Sequence, residues 1–122
     1  MMVYGIKNCS TVKKALTWFD SHQIKYAFYD LKKDTLNEAT LTLWFKKLPS
    51  HLTWDMLINK SGMTWRNLSD REKKLADKQE TAIQLIIEKP MVMKRPLVAI
   101  DTKVVLLGFD EVVFKQLFKK SK

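Results

Sequence analysis

The order in which the hydrophobic period changes along this chain constrains its fold more than any other feature. Met2 to Ile6 alternates as a short strand. Val12, Ala15, Leu16 and Phe19 then fall at i, i+3, i+4 and i+7, the stripe of an amphipathic helix from about Ser10 to Ser21, and Tyr26 to Asp30 reads again as a strand. Such a strand–helix–strand succession is a βαβ unit, which contributes a parallel pair to a sheet. Beyond Pro96 the strand period returns: Leu97 to Ile100, a turn at Asp101-Thr102-Lys103, and Val104 to Leu107 form a predicted hairpin. Asp110 is placed to cap a terminal helix that buries Phe114, Leu117 and Phe118, with a lysine-rich end at Lys119-Lys120 that suits the helix dipole.

The stretch between these two blocks is helical. Thr35-Leu36-Asn37-Glu38 has capping-box spacing ahead of the stripe Leu41, Trp44, Phe45 and Leu48, which Pro49 stops. Trp54, Leu57 and Ile58 predict a short helix with Gly62 near its end. Ser69-Asp70-Arg71-Glu72 is a second capping box, leading through Leu75 and Ala76 to Ala82, Leu85 and Ile86, as one bent helix or two, ended by Pro90. The expected fold is α/β: one domain over residues 1–122, with a mixed four-stranded sheet and a helical insertion over about residues 35–90.

At 122 residues, 46% of them apolar, the chain buries enough surface to fold without staples. Its single Cys closes no intrachain disulfide, and no Cys/His cluster has metal-ligand spacing, so no metal is expected. No apolar run approaches the roughly 18 residues of a membrane helix, and the N-terminus lacks the pattern of a signal peptide. The expected location is the cytosol, a reducing compartment. The net charge of +9 is spread in lysine pairs along the chain and only three residues are arginine, which weakens a nucleic-acid reading. Attraction to an acidic protein or a small anion survives.

Cys9 lies between the first strand and the first helix, where unpaired backbone N–H groups and the positive end of the helix dipole favour a thiolate over the thiol, whose ordinary pKa is about 8.5. Lys7, Lys13 and Lys14 add positive charge nearby. A buried structural Cys is the alternative. His22 and His51 have no metal-ligand partners at suitable spacing, and Trp18, Trp44 and Trp54 fit helical stripes. No phosphate-loop, dinucleotide, nucleophile-elbow or zinc-protease pattern occurs.

Tyr4-Gly5-Ile6-Lys7-Asn8-Cys9-Ser10-Thr11-Val12-Lys13-Lys14-Ala15, Thr64-Trp65-Arg66, Lys94-Arg95-Pro96 and Gly108-Phe109 resemble, in order and spacing, the arsenate reductase-like family that includes the ArsC, Spx and YffB proteins. The likeness is greatest to the YffB branch, for which a glutathione-dependent thiol reductase role has been proposed. It implies a thioredoxin-like fold with a helical insertion, with Cys9 as nucleophile, Pro96 as a cis-proline packed beside it and Arg95 binding an anionic substrate. Arg66, Lys13 and Lys60 join Arg95 as candidate anion-binding groups, suited to the two carboxylates of glutathione. No bound cofactor is implied; glutathione is the expected co-substrate, with an oxidised protein as a further substrate class.

Two departures bear on function. Glutaredoxin-coupled arsenate reductases of this family carry an Arg in a Leu-Leu-Arg-Lys-like run and another after the last strand, whereas this chain reads Leu57-Ile58-Asn59-Lys60 and Gly108-Phe109-Asp110. Arsenate reduction is therefore disfavoured. The RNA-polymerase-binding regulators of the family commonly carry a CxxC switch, but Val12 stands where the second Cys would be. A regulator of that kind, contacting RNA polymerase without the switch, is the alternative to a monothiol reductase. Neither direct nucleic-acid binding nor a membrane is expected.

Overall fold

The computed structural model describes residues 1–118. The chain runs β1 (Met2–Gly5), α1 (Ser10–Ser21), β2 (Ala27–Asp30), α2 (Glu38–Lys46), a 3₁₀ turn (Trp54–Leu57), α3 (Met63–Arg66), α4 (Asp70–Lys74), a second 3₁₀ turn (Leu75–Asp77), α5 (Gln79–Glu88), a third (Pro90–Val92), β3 (Leu97–Ile100), β4 (Lys103–Leu107) and α6 (Glu111–Leu117). The sheet order is β2-β1-β3-β4. β1 lies parallel to β2 and antiparallel to β3, and β3 pairs antiparallel with β4, giving the mixed sheet expected from the sequence.

Strand alternation sends side chains to two cores. Val3, Val98 and Leu106 face α1 and α6, where they bury Ala15, Trp18, Phe19 and Phe114. Leu97, Ala99 and Val104 face the helical insertion and meet Leu41, Trp44, Leu57, Leu85, Ile86 and Met93. The register of β4 shifts by one residue at a bulge opposite Val98 and Ala99, so Val105 joins Leu106 on the α1–α6 side. Among the described residues no helix is long and apolar enough to cross a membrane.

Several local expectations are corrected. The cap of α2 is Asn37, whose side chain accepts from the Thr40 N–H at 2.8 Å, and the Thr35–Glu38 box does not form. Leu36 and Leu41, at the two positions of a hydrophobic staple around that cap, are both buried in the insertion core. Gly62 precedes α3 instead of closing the 54–57 turn, because Ile58 leaves that turn extended and bridges to Met93. The Ser69–Glu72 box forms as expected, but Lys78 is extended and separates α5 from the preceding turn, so the stretch is not one bent helix. The hairpin turn has two residues: Asp101 and Thr102 both have positive φ, the geometry that matches strand twist, and Lys103 already pairs with Ile100. Leu117 is exposed, because it follows Val113 along one side of α6 while Phe114 takes the core side. The expected Lys119-Lys120 helix end lies outside the described residues.

Candidate functional site

The backbone register determines what meets Cys9. Tyr4 pairs with Leu97, so the loop leaving β1 and the segment entering β3 emerge at the same end of the sheet. Gly108, just past β4, joins them there by donating its N–H to the Pro96 carbonyl at 2.8 Å. The Arg95–Pro96 bond is cis and Pro96 is buried. The insertion is tied to the same end: the Asn59 N–H donates to the Val92 carbonyl and the Lys94 N–H to the Leu57 carbonyl, each at 2.8 Å.

Cys9 is the N-cap residue of α1, with extended backbone and its carbonyl accepting from the Lys13 N–H at 3.0 Å. What brings the helix down onto the strand is Gly5, where a methyl group would sit 2.8 Å from a Val12 γ-carbon. No larger residue permits this approach unless Val12 shifts. The thiol is half-buried and packs against the insertion core. Its sulfur takes no hydrogen bond from the helix N–H groups, contrary to the expectation from its position. By helix geometry, the N–H groups of Ser10, Thr11 and Val12 have no acceptor within α1 and remain oriented toward this end.

Arg95 is half-buried and turned back on its own chain. Its Nη1 donates to the Met91 carbonyl at 2.8 Å and contacts the Met91 sulfur at 3.5 Å, while its buried Nε has no partner among the described residues. Lys13 is exposed on α1 and lines a shallow depression with Trp18 and Phe109. Lys60 lines an open cleft of about 500 Å³ with Asp55, Asn59, Ser61 and Lys94, its ammonium 5.4 Å from the Trp65 ring. Arg66, exposed on α3, does not line that cleft, and neither does Cys9. Asp55 is the only acid on its wall. No group of three or more His, Cys, Asp or Glu among the described residues is arranged to hold a metal ion.

Lys94 is the residue to which sequence reasoning gave no role; it shares the cleft wall with Asn59, which the sequence reading placed where arsenate reductases carry an arginine. The Lys94 stem crosses Gly108, where a methyl group would lie 3.3 Å from Lys Cε, and its side chain reaches the cleft wall with Asn59 and Lys60. No periodic signal marks this residue, because Lys94 to Pro96 lie in a bend ahead of β3 and not in the strand.

Comparison with known proteins agrees with this arrangement. The ArsC family model matches residues 4–117. An uncharacterised protein of Haemophilus influenzae is 41% identical over 116 residues, covering 95% of this chain and 96% of its own length. The regulatory protein MgsR of Bacillus subtilis is 25% identical over 117 residues, covering 96% of this chain and 89% of its own. A solved structure of a protein called YffB superposes with a TM-score of 0.81 at 33% identity, over 94% of this chain and 96% of that one. The sheet, the insertion and the cysteine at the head of α1 thus sit in a thioredoxin-like fold shared over nearly the whole length, and the chain belongs to the ArsC family.

Proposed function

We propose that this protein is a glutathione-dependent thiol-disulfide reductase whose nucleophile is Cys9. The observation that carries the reading is the placement of the sole cysteine at the head of α1, half exposed and without a hydrogen bond holding its sulfur. The Cys9 thiolate attacks the glutathionyl sulfur of a mixed disulfide; that S–S bond breaks, a Cys9–glutathione disulfide forms and the substrate leaves as a thiolate that takes a proton. A glutathione thiolate then attacks this disulfide, releasing oxidised glutathione and regenerating the Cys9 thiolate. With no second cysteine, the resolving thiol must come from outside. Arg95, Lys94, Lys60 and Lys13 supply positive charge toward the carboxylates of glutathione, with Arg66 in a more distant role.

Incubation with a glutathionylated peptide is expected to add a glutathionyl group to Cys9, seen by mass spectrometry and removed by excess reduced glutathione. Cys9→Ser should take up none. Arg95→Ala should slow the reaction more than Arg71→Ala, since Arg71 lies on the exposed side of α4. Equal rates in both variants and the parent would remove Arg95 from the site; no uptake at Cys9 would remove the function. Glutaredoxin-coupled arsenate turnover is expected to be weak, because Asn59 and Gly108-Phe109-Asp110 stand where that chemistry uses arginines.

A second reading, a transcription regulator that contacts RNA polymerase, is favoured by the likeness to the regulatory protein MgsR and by the net charge of +9. Saturable binding to purified polymerase that persists in Cys9→Ser, together with no turnover of glutathionylated peptide, would select it.

A further inference from the structure

β4 is an outer strand of the sheet, so one row of its backbone N–H and C=O groups has no strand partner. Two open depressions flank this edge, one on each face. On the insertion side Leu48 and Pro49 stand across from Val104 and Val105, with Lys47 and Lys103 at the rim, around about 560 Å³. On the α6 side Val105 and Leu106 face Val113 and Leu117, with His51 at the rim, around about 380 Å³. Val105 belongs to both. Val113 and Leu117 are 37% and 46% exposed, so the α6 wall is apolar and open.

Side chains of an extended segment alternate between two faces at about 3.3 Å per residue. A segment laid along β4 therefore delivers successive side chains to the two depressions in turn, while its backbone pairs with the unused row. The rim selects charge. Every titratable group lining either depression is basic, namely Lys47, Lys103 and His51, and no acid lines either one. Among the described residues the one ion pair, Glu111–Lys115, involves none of them. A second copy of this chain fits poorly, because it would bring the same basic rim, Lys47 and Lys103, against its own like charges.

We propose that the free edge of β4 docks a short extended segment of a partner protein, apolar at its centre and acidic at its ends, by strand addition. The surface is independent of the Cys9 chemistry, since Cys9 lines neither depression.

The test uses a fluorescein-labelled peptide, Asp-Glu-Val-Thr-Ile-Val-Glu-Asp, followed by fluorescence polarisation and by amide shifts of the labelled protein. Saturable binding is expected, with the largest shifts over residues 103–107. The Lys47→Glu/Lys103→Glu pair should weaken it about tenfold or more, and Leu117→Ser several-fold, with Cys9 alkylation unchanged in both. A peptide with lysines in place of the four acids should not bind. The proposal is overturned by absent binding, by shifts centred away from β4, by equal binding of the basic peptide, or by sedimentation showing that β4 joins two copies instead.

Discussion

The two faces of the sheet are built from different materials. On the α1–α6 face, Trp18, Phe19 and Phe114 pack ring against ring, with centroids 5.2–5.8 Å apart. On the other face Leu41, Leu57, Leu85 and Ile86 surround Trp44 and are mostly aliphatic. Each face also keeps one buried donor without a partner among the described residues, an indole Nε1 at Trp18 and a guanidinium Nε at Arg95. The aromatic face anchors the helix that carries Cys9 and, of the candidate cations, contributes Lys13. The insertion face is the one against which Cys9 packs and to which Arg95 turns, so scaffold and most of the site are divided by the sheet.

The strongest test of that division compares one large deletion on each face. Phe114→Ala should cost about 3–5 kcal/mol and Leu57→Ala about 2–5 kcal/mol, read from urea midpoints. Only Leu57→Ala should also change the rate at which folded protein takes up a glutathionyl group at Cys9, because loss of the buried side chain loosens the segment whose Leu57 carbonyl accepts from the Lys94 N–H. Equal effects on Cys9 from both variants would break the division.

Gly5 is where the two faces are coupled, since it sets the approach of α1 to β1. Gly5→Ala should cost about 1–3 kcal/mol through overlap with the stiff, fully buried Val12 side chain and should alter Cys9 alkylation. Adding Val12→Ala should recover the alkylation rate even where stability stays low. Failure of that rescue would mean that Gly5 acts on Cys9 by another route.

Asp110 caps α6 on the aromatic side by accepting from the Val112 and Val113 N–H groups, at 2.9 and 3.3 Å. Asp110→Ala is expected to cost about 1 kcal/mol in a denaturation curve and to leave Cys9 uptake untouched.

The smallest expected effect is a pH dependence on the insertion side. Burial, and after it the charge of neighbouring Tyr29, hold the Tyr4 phenol above its ordinary value of 10.0. The folded state thus favours the neutral phenol, while the unfolded chain ionises first. Stability from this group is complete below pH 10 and is lost as pH rises through the folded-state value. Tyr4→Phe should flatten that decline in thermal melts; an unchanged slope would assign it to other groups.

The architecture was legible because it is written in local periodicity. The helix Ser10–Ser21 and the cap Asp110 follow from spacing and from side chains that reach only a turn away. Where a local signal misled, neighbours distant in sequence decided. Thr35 read as the cap of α2 from its spacing to Glu38, but Asn37 takes that place, and burial of Leu36 with Leu41 in the insertion core accompanies it. Leu117 read as buried by spacing, but a seven-residue helix lying beside an outer strand covers one narrow stripe, and Phe114 occupies it.

For the site, the sequence by itself determined that one cysteine stands between a strand and a helix, that no partner cysteine exists, and that a basic chain surrounds it. The tertiary structure decided which cations share its end of the sheet. Lys94 and Lys60 line one cleft because the 57–59 segment hydrogen-bonds to 92–94, while Arg66 stays outside and Arg95 is drawn to the Met91 carbonyl. The pairings of 57–59 with 92–94 join residues more than thirty positions apart. Periodicity reports only which face of its own element a residue occupies, and it is long-range backbone pairing that selects the face it meets.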